Sequence, residues 1–278
     1  MSHFTNLAIA GGGFKIAAAV GCIKYLEEID ELKYIKNFVG TSAGSVICLG
    51  IILGYKHEDF SRILFEFITK FKFEPNLMDI VDNYGISDGN VIIELISNVL
   101  ELALNVKDIT FLDLTKKTGK NLSVCVSNIT DNKEDYFNID TTPELSICTA
   151  IRISCSLPIL FTPIMINDKL YLDGGLFCNF PINYFKKSVF KDILGININV
   201  QKSKNINNLG EYIIYILDHL LNKTNQSITD PDNNIITLDF PEDDHDIYTL
   251  AIKDISQDTL KKYIDLGYEI SKKNISSR

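Results

Sequence analysis

The chain has 278 residues, 46% hydrophobic and 23% charged, which suits a globular protein with room for one large core. Lys and Arg number 27 against 36 Asp and Glu, and the formal charge of −9 excludes a nucleic-acid surface of clustered cations or attachment to anionic membranes by charge alone. The opening MSHFTNLAIAGGG has no basic start and no apolar run of signal-peptide length, and no stretch is long enough to span a bilayer, so a cytoplasmic protein is expected.

Residues 6–10 read as a short buried strand that runs into Gly11-Gly12-Gly13, and residues 15–29 have helical periodicity. Phe38-Val39 forms a second strand. Residues 42–53 are almost wholly apolar, as in a helix enclosed on all sides. Residues 57–105 read as a helical insertion with two amphipathic helices, one around Phe60–Ile68 and one over 91–104, serving as core packing or as a cap over a lipid-binding cleft. Strands follow at 122–127 and 135–139 about a turn at Asp131-Asn132-Lys133. A helix then runs from Pro143 to near Ser154, and 159–166 and 170–172 are extended. A strand at 192–200, a helix near 210–221, a strand at 235–240 and a helix at 257–271 complete an alternating pattern, which argues for a layered α/β sheet. Cys22, Cys48, Cys125, Cys148, Cys155 and Cys178 lack metal-ligand spacing and read as buried free thiols in a reducing compartment.

Three stretches carry chemistry. Gly40-Thr41-Ser42-Ala43-Gly44 fits G-x-S-x-G between an apolar strand and an apolar helix, the setting of a strained nucleophile elbow. Gly40 and Gly44 would relieve crowding around the turn, and the helix N-terminus would favour negative charge at Ser42. Gly11-Gly12-Gly13 reads as an oxyanion hole serving Ser42, as a dinucleotide loop, or as a structural turn. The dinucleotide reading is weakened by Ile16 at the third glycine position and by the lack of an acidic residue after Phe38-Val39. Asp173-Gly174-Gly175 ends a strand. Alone it is a turn, or a carboxylate presented at the sheet edge.

Taken together, GGGFK, GTSAG, ISCSLPILFTP and YLDGGLFCNFPI resemble the patatin-like phospholipase family over residues 6–200. The resemblance implies a three-layer α/β/α fold with a central, mostly parallel sheet and the helical insertion, in a single domain over 1–278 that closes with a strand and helix at 232–278. It also implies a Ser–Asp dyad, with Ser42 as nucleophile and Asp173 as general base. Gly11, Gly12 and Gly13 then form the oxyanion loop and Lys15 matches its basic position, with Gly40, Gly44, Gly174 and Gly175 supporting the motifs. This chain departs at Ile16, where the family usually has glycine.

A Ser–acid–His triad would need His219 or His245. His219 lies near the end of an expected helix and His245 in the acidic loop EDDHD, while His3 and His57 read as surface residues. A carboxylate base must be shielded to gain basicity, so Asp173 is expected to be buried directly beside Ser42. The implied activity is hydrolysis of fatty-acyl esters of phospholipids or lysophospholipids, with peripheral membrane contact, no nucleic-acid partner, no cofactor and no metal. Calcium is not expected, because no D-x-[DN]-x-[DN]-G loop occurs. The alternative is a catalytically weak lipid-binding or interaction protein on the same fold, for which Ile16 is the supporting feature.

Overall fold

The computed structural model describes residues 3–70, 82–185, 191–199, 234–240 and 256–276. Its strands are β1 (Asn6–Ile9), β2 (Asn37–Thr41), β3 (Gly85–Ser87), β4 (Asn121–Asn128), β5 (Lys133–Phe137), β6 (Ile159–Phe161), β7 (Ile164–Ile166), β8 (Lys169–Asp173), β9 (Ile193–Asn199) and β10 (Ile235–Asp239). Its helices are α1 (Ala17–Glu28), α2 (Ala43–Leu53), α3 (His57–Lys70), α4 (Asn90–Leu104), α5 (Phe111–Thr118), α6 (Ile147–Ser154), α7 (Gly175–Cys178) and α8 (Gln257–Ser276). They form a three-layer α/β/α arrangement around a mixed sheet.

The sheet runs β10-β9-β1-β2-β4-β8-β7. Strands β10, β9, β1, β2 and β4 are mutually parallel, and β8 and β7 join antiparallel. Strands covered on both faces read as unbroken apolar runs, and Leu7, Ile9, Phe38, Val39, Val124, Val126, Leu194 and Ile196 are accordingly buried. Helix α1 packs on α8, where Cys22 Sγ donates to the Gly267 carbonyl at 3.6 Å and Tyr25 meets Tyr268 edge-on. All six cysteines are free, with Cys155 and Cys178 half-buried and the others buried.

Several expected elements change. Residues 159–166 are two strands, because Pro163 has no N–H to give a ladder: β6 pairs with β3 in a separate parallel ribbon, and β7 pairs with β8. The insertion therefore contains a strand as well as α3 and α4. Helix α6 begins at Ile147, where Ser146 Oγ accepts the Thr149 N–H at 3.1 Å, while the Pro143 carbonyl is taken by the Leu112 N–H. Helix α5 was not expected. Thr110 caps it by accepting the Asp113 N–H. The helix expected near 210–221 lies outside the described residues.

Candidate active site

Where β2 ends, Ser42 takes φ 52° and ψ −129° and caps α2. A positive φ in a non-glycine residue costs about 1–3 kcal/mol and persists only where its surroundings enforce it. Here the enforcement is visible. A Cβ on Gly40 would lie 2.5 Å from Ser45 N, and one on Gly44 would lie 2.5 Å from the carbonyl oxygens of Ile9 and Ala10, so the turn closes only over glycine. The Ser42 N–H donates to Ser154 Oγ at 2.8 Å, and Ser154 Oγ in turn donates to the Cys125 carbonyl at 2.6 Å. Ser45 Oγ donates to the Ser42 carbonyl at 2.6 Å.

Sheet register brings Asp173 to the same point. On β4, Cys125 is paired with Thr41 of β2 and Val126 with Asp173 of β8. Strand β5 occupies the other edge of β4 along these residues, so β2 and β8 share one edge and meet tip to tip. Asp173 is 1% exposed. Its Oδ1 accepts the Gly175 N–H at 2.8 Å, and its Oδ2 is buried without a hydrogen-bond partner. Burial raises its pKa to about 7, opposed by the Gly175 N–H and the neighbouring Ser42 hydroxyl. The hydroxyl is thus close enough to act on the carboxyl, yet no hydrogen bond to Oδ2 is formed. Such contacts commonly tighten only when substrate arrives.

The glycine loop lies against the elbow, since a Cβ on Gly11 would sit 3.2 Å from Ser42 Cβ. The Gly11 N–H is spent on the Asn179 carbonyl at 3.0 Å, and Asn179 Nδ2 returns a bond to the Gly11 carbonyl. Among the described residues nothing engages the amides of Gly12 or Gly13, and Gly13, at φ 50°, lines a cavity together with Ser42. Gly174 packs tightly on the Cys125 carbonyl. Lys15 does not join the group: it is buried with its Nζ over the Phe240 ring at 4.8 Å and tethers the loop to the chain after β10. Ile16 has ordinary right-handed angles (φ −56°, ψ −19°), so this position needs no glycine, and its side chain lines the cavity.

That cavity, about 130 Å³, is almost entirely apolar. Ala43, Val46 and Ile47 of α2 line it beside Ser42, α3 adds Phe60 and Phe67, and Leu160 and Phe161 close one side. Cys155 also faces it, with its thiol pushed up to about 12 by burial and so kept protonated. No imidazole among the described residues reaches Ser42: His3 stacks on Tyr34, and His57 Nδ1 pairs with Glu27 Oε2 at 2.7 Å. His219 and His245 lie outside the described residues.

Three supporting residues escaped sequence reasoning. Ser154 and Asn179 hold the elbow and the glycine loop through bonds between distant segments, for which no local pattern exists. Arg152 is 1% exposed and donates to the Asp88 carbonyl, the Thr162 carbonyl and Ser156 Oγ, anchoring the β3–β6 ribbon that carries part of the cavity wall. A lone arginine within the apolar run ICTAIRIS was its one available signal.

Comparison with known proteins bears on the family and the fold. The model of the patatin-like phospholipase family matches residues 7–186. The probable lipid hydrolase 463L of Invertebrate iridescent virus 6 is 33% identical over 190 residues, covering 65% of this chain and 63% of the viral protein. An uncharacterized protein of Acanthamoeba polyphaga mimivirus is 28% identical over 196 residues, covering 69% and 65%. The match spans less than two thirds of the length of either viral relative. VipD from Legionella pneumophila superposes with a TM-score of 0.59 at 17% identity, covering 99% of this chain and 67% of that one. The type III effector ExoU superposes at 0.57 and 17% identity, covering 99% and 53%, so both share the fold. The chain belongs to the patatin-like phospholipase family.

Proposed function

We propose that the protein is a serine acyl hydrolase that cleaves fatty-acyl esters of phospholipids or lysophospholipids, with Ser42 as nucleophile and Asp173 as general base. The observation that carries this reading is the buried, unpartnered Oδ2 of Asp173 beside the Ser42 hydroxyl, at the wall of an apolar cavity. A carboxyl whose pKa lies near 7 is a far better base for a hydroxyl than one near 3.8, and both forms are populated at neutral pH. Membership in a lipid-hydrolase family supports the choice of ester.

In this mechanism the acyl chain lies in the cavity and Ser42 Oγ attacks the ester carbonyl carbon. Asp173 takes the hydroxyl proton as the bond forms. The tetrahedral oxyanion is held by the amides of Gly12 and Gly13, assisted by the N-terminus of α2. Asp173 then gives its proton to the departing alcohol, leaving an acyl-serine. Water attacks next with Asp173 again as base, releasing the fatty acid. The substrate would be met by peripheral contact at a lipid surface; among the described residues no helix is long and apolar enough to cross a membrane. The weak-binder alternative rests on Ile16, which has ordinary right-handed backbone angles and lines the cavity.

The test is incubation of purified protein with mixed phospholipids and identification of the products. Released fatty acid with its lyso-product, together with fluorophosphonate labelling, is expected for the wild type. Both should vanish in Ser42→Ala, and hydrolysis should fall by several orders of magnitude in Asp173→Asn. Near-normal hydrolysis in either variant would end the proposal. Liposome binding without products or labelling would instead support the lipid-binding alternative.

A further inference from the structure

The Ser42 cavity has a neighbour. Between α3 and α4 lies a second hollow of about 120 Å³, and Ile63, Phe67 and Leu95 line both. These three half-buried side chains form a shared wall, with Ser42 on one side and a groove open to solvent on the other. At the groove, Leu102 is 76% exposed and Glu66, Glu94 and Asn98 are exposed as well. Phe67 is braced from the catalytic side by Phe14, which directly follows the glycine loop, with ring centroids 6.2 Å apart.

We propose that Phe67 and Leu95 are specificity-determining residues that set the length of acyl chain accepted at Ser42, because they divide one potential acyl channel into an inner chamber and an outer groove. The inference rests on the acyl-hydrolase reading and gives its substrate a dimension. Chains that end inside the inner chamber bind with the wall in place. A longer chain must turn Phe67 and Leu95 aside to continue along the apolar groove towards Leu102. Opening the wall roughly doubles the room, since the two hollows are of similar size. The acidic rim at Glu66 and Glu94 makes the groove a poor site for an anionic group, so the occupant that fits is the uncharged methyl end of the chain rather than a phosphate or carboxylate.

The experiment compares p-nitrophenyl esters from butyrate to palmitate on the wild type, Phe67→Ala and Leu95→Ala. Each methylene buried in an apolar site is worth about fourfold in kcat/KM. In the wild type the gain per methylene should stop at the length that reaches the wall. In both variants it should continue to longer chains, read as the break point in kcat/KM relative to the shortest ester of the same variant. The same break point in wild type and variants overturns the inference while leaving the acyl-hydrolase reading intact.

Binding of saturated fatty acids of rising length, read by displacement of a fluorescent fatty-acid analogue, carries the test without catalysis. If no ester is hydrolysed, the acyl-hydrolase reading falls, and a shifted binding break point still upholds the wall while an unshifted one refutes it. Leu95, half-buried on the other helix, supplies the answer should Phe67→Ala fail to melt cooperatively.

Discussion

Replacing Asp173 by Asn separates the carboxyl's proposed role as base from what its burial costs the fold. The side chain is 1% exposed, and burial lifts its pKa from 3.8 to about 7. Because the native state holds this proton more tightly than the unfolded chain, the stability it contributes is complete below 3.8 and is lost as pH rises through about 7. At about 1.4 kcal/mol per pKa unit, the shift from 3.8 to about 7 corresponds to a loss on the order of 4 kcal/mol.

Asparagine has nearly the same shape, does not ionise, and can still accept the Gly175 N–H. Placing its amide nitrogen where Oδ2 has no partner adds a cost of about 1–3 kcal/mol that does not change with pH. The variant should therefore gain stability relative to the wild type by about 4 kcal/mol between roughly pH 4 and pH 8, whatever the fixed offset. Paired urea unfolding curves across that range measure it. A wild-type-minus-variant difference that stays flat would mean that Asp173 titrates as an ordinary carboxylate, and the claim that burial makes it a base would fail.

In the proposed mechanism the same group also governs rate. Activity should need the ionised carboxylate, so kcat/KM should rise with pH to a plateau with its midpoint at about 7. At two pH units below that midpoint it should be about a hundredfold lower, and a midpoint near 4 in a pH–rate profile would contradict this. Ser154→Ala leaves the Ser42 N–H and the Cys125 carbonyl without their shared partner, at about 1–3 kcal/mol each. It should lower Tm and reduce kcat more than it raises KM, and an unchanged kcat would show that the elbow stands without it. Gly44→Ala drives a Cβ to 2.5 Å from two backbone oxygens of the β1 end, so soluble protein with a wild-type Tm would refute the described packing. Arg152→Met removes charged hydrogen bonds worth about 1.5–3 kcal/mol each, and should loosen the β3–β6 ribbon, read as faster amide exchange at Gly85–Ser87.

Sequence and structure part company where the reason for an element lies far away in the chain. Residues 159–166 read as one extended run, and their division at Pro163 depends on β3, which gives β6 a partner of its own. Pro143 reads as the helix start, yet its carbonyl is taken by the Leu112 N–H and Ser146 becomes the cap. Lys15 matches a basic motif position, yet it is buried against Phe240, a contact that no spacing within GGGFK could reveal. Gly11 reads as an oxyanion donor until Asn179 is seen to accept its N–H.

The elbow and its flanking glycines are legible in contiguous residues. Their steric demands are local: a serine forced to positive φ needs small neighbours two positions away, and Gly40 and Gly44 are there. The partnership comes from assembly of distant segments. Asp173 stands beside Ser42 because β8 and β2 share one edge of β4, and its pKa is raised because that junction is dry. Desolvation and register are properties of how segments assemble, and neither can be written into any one of them.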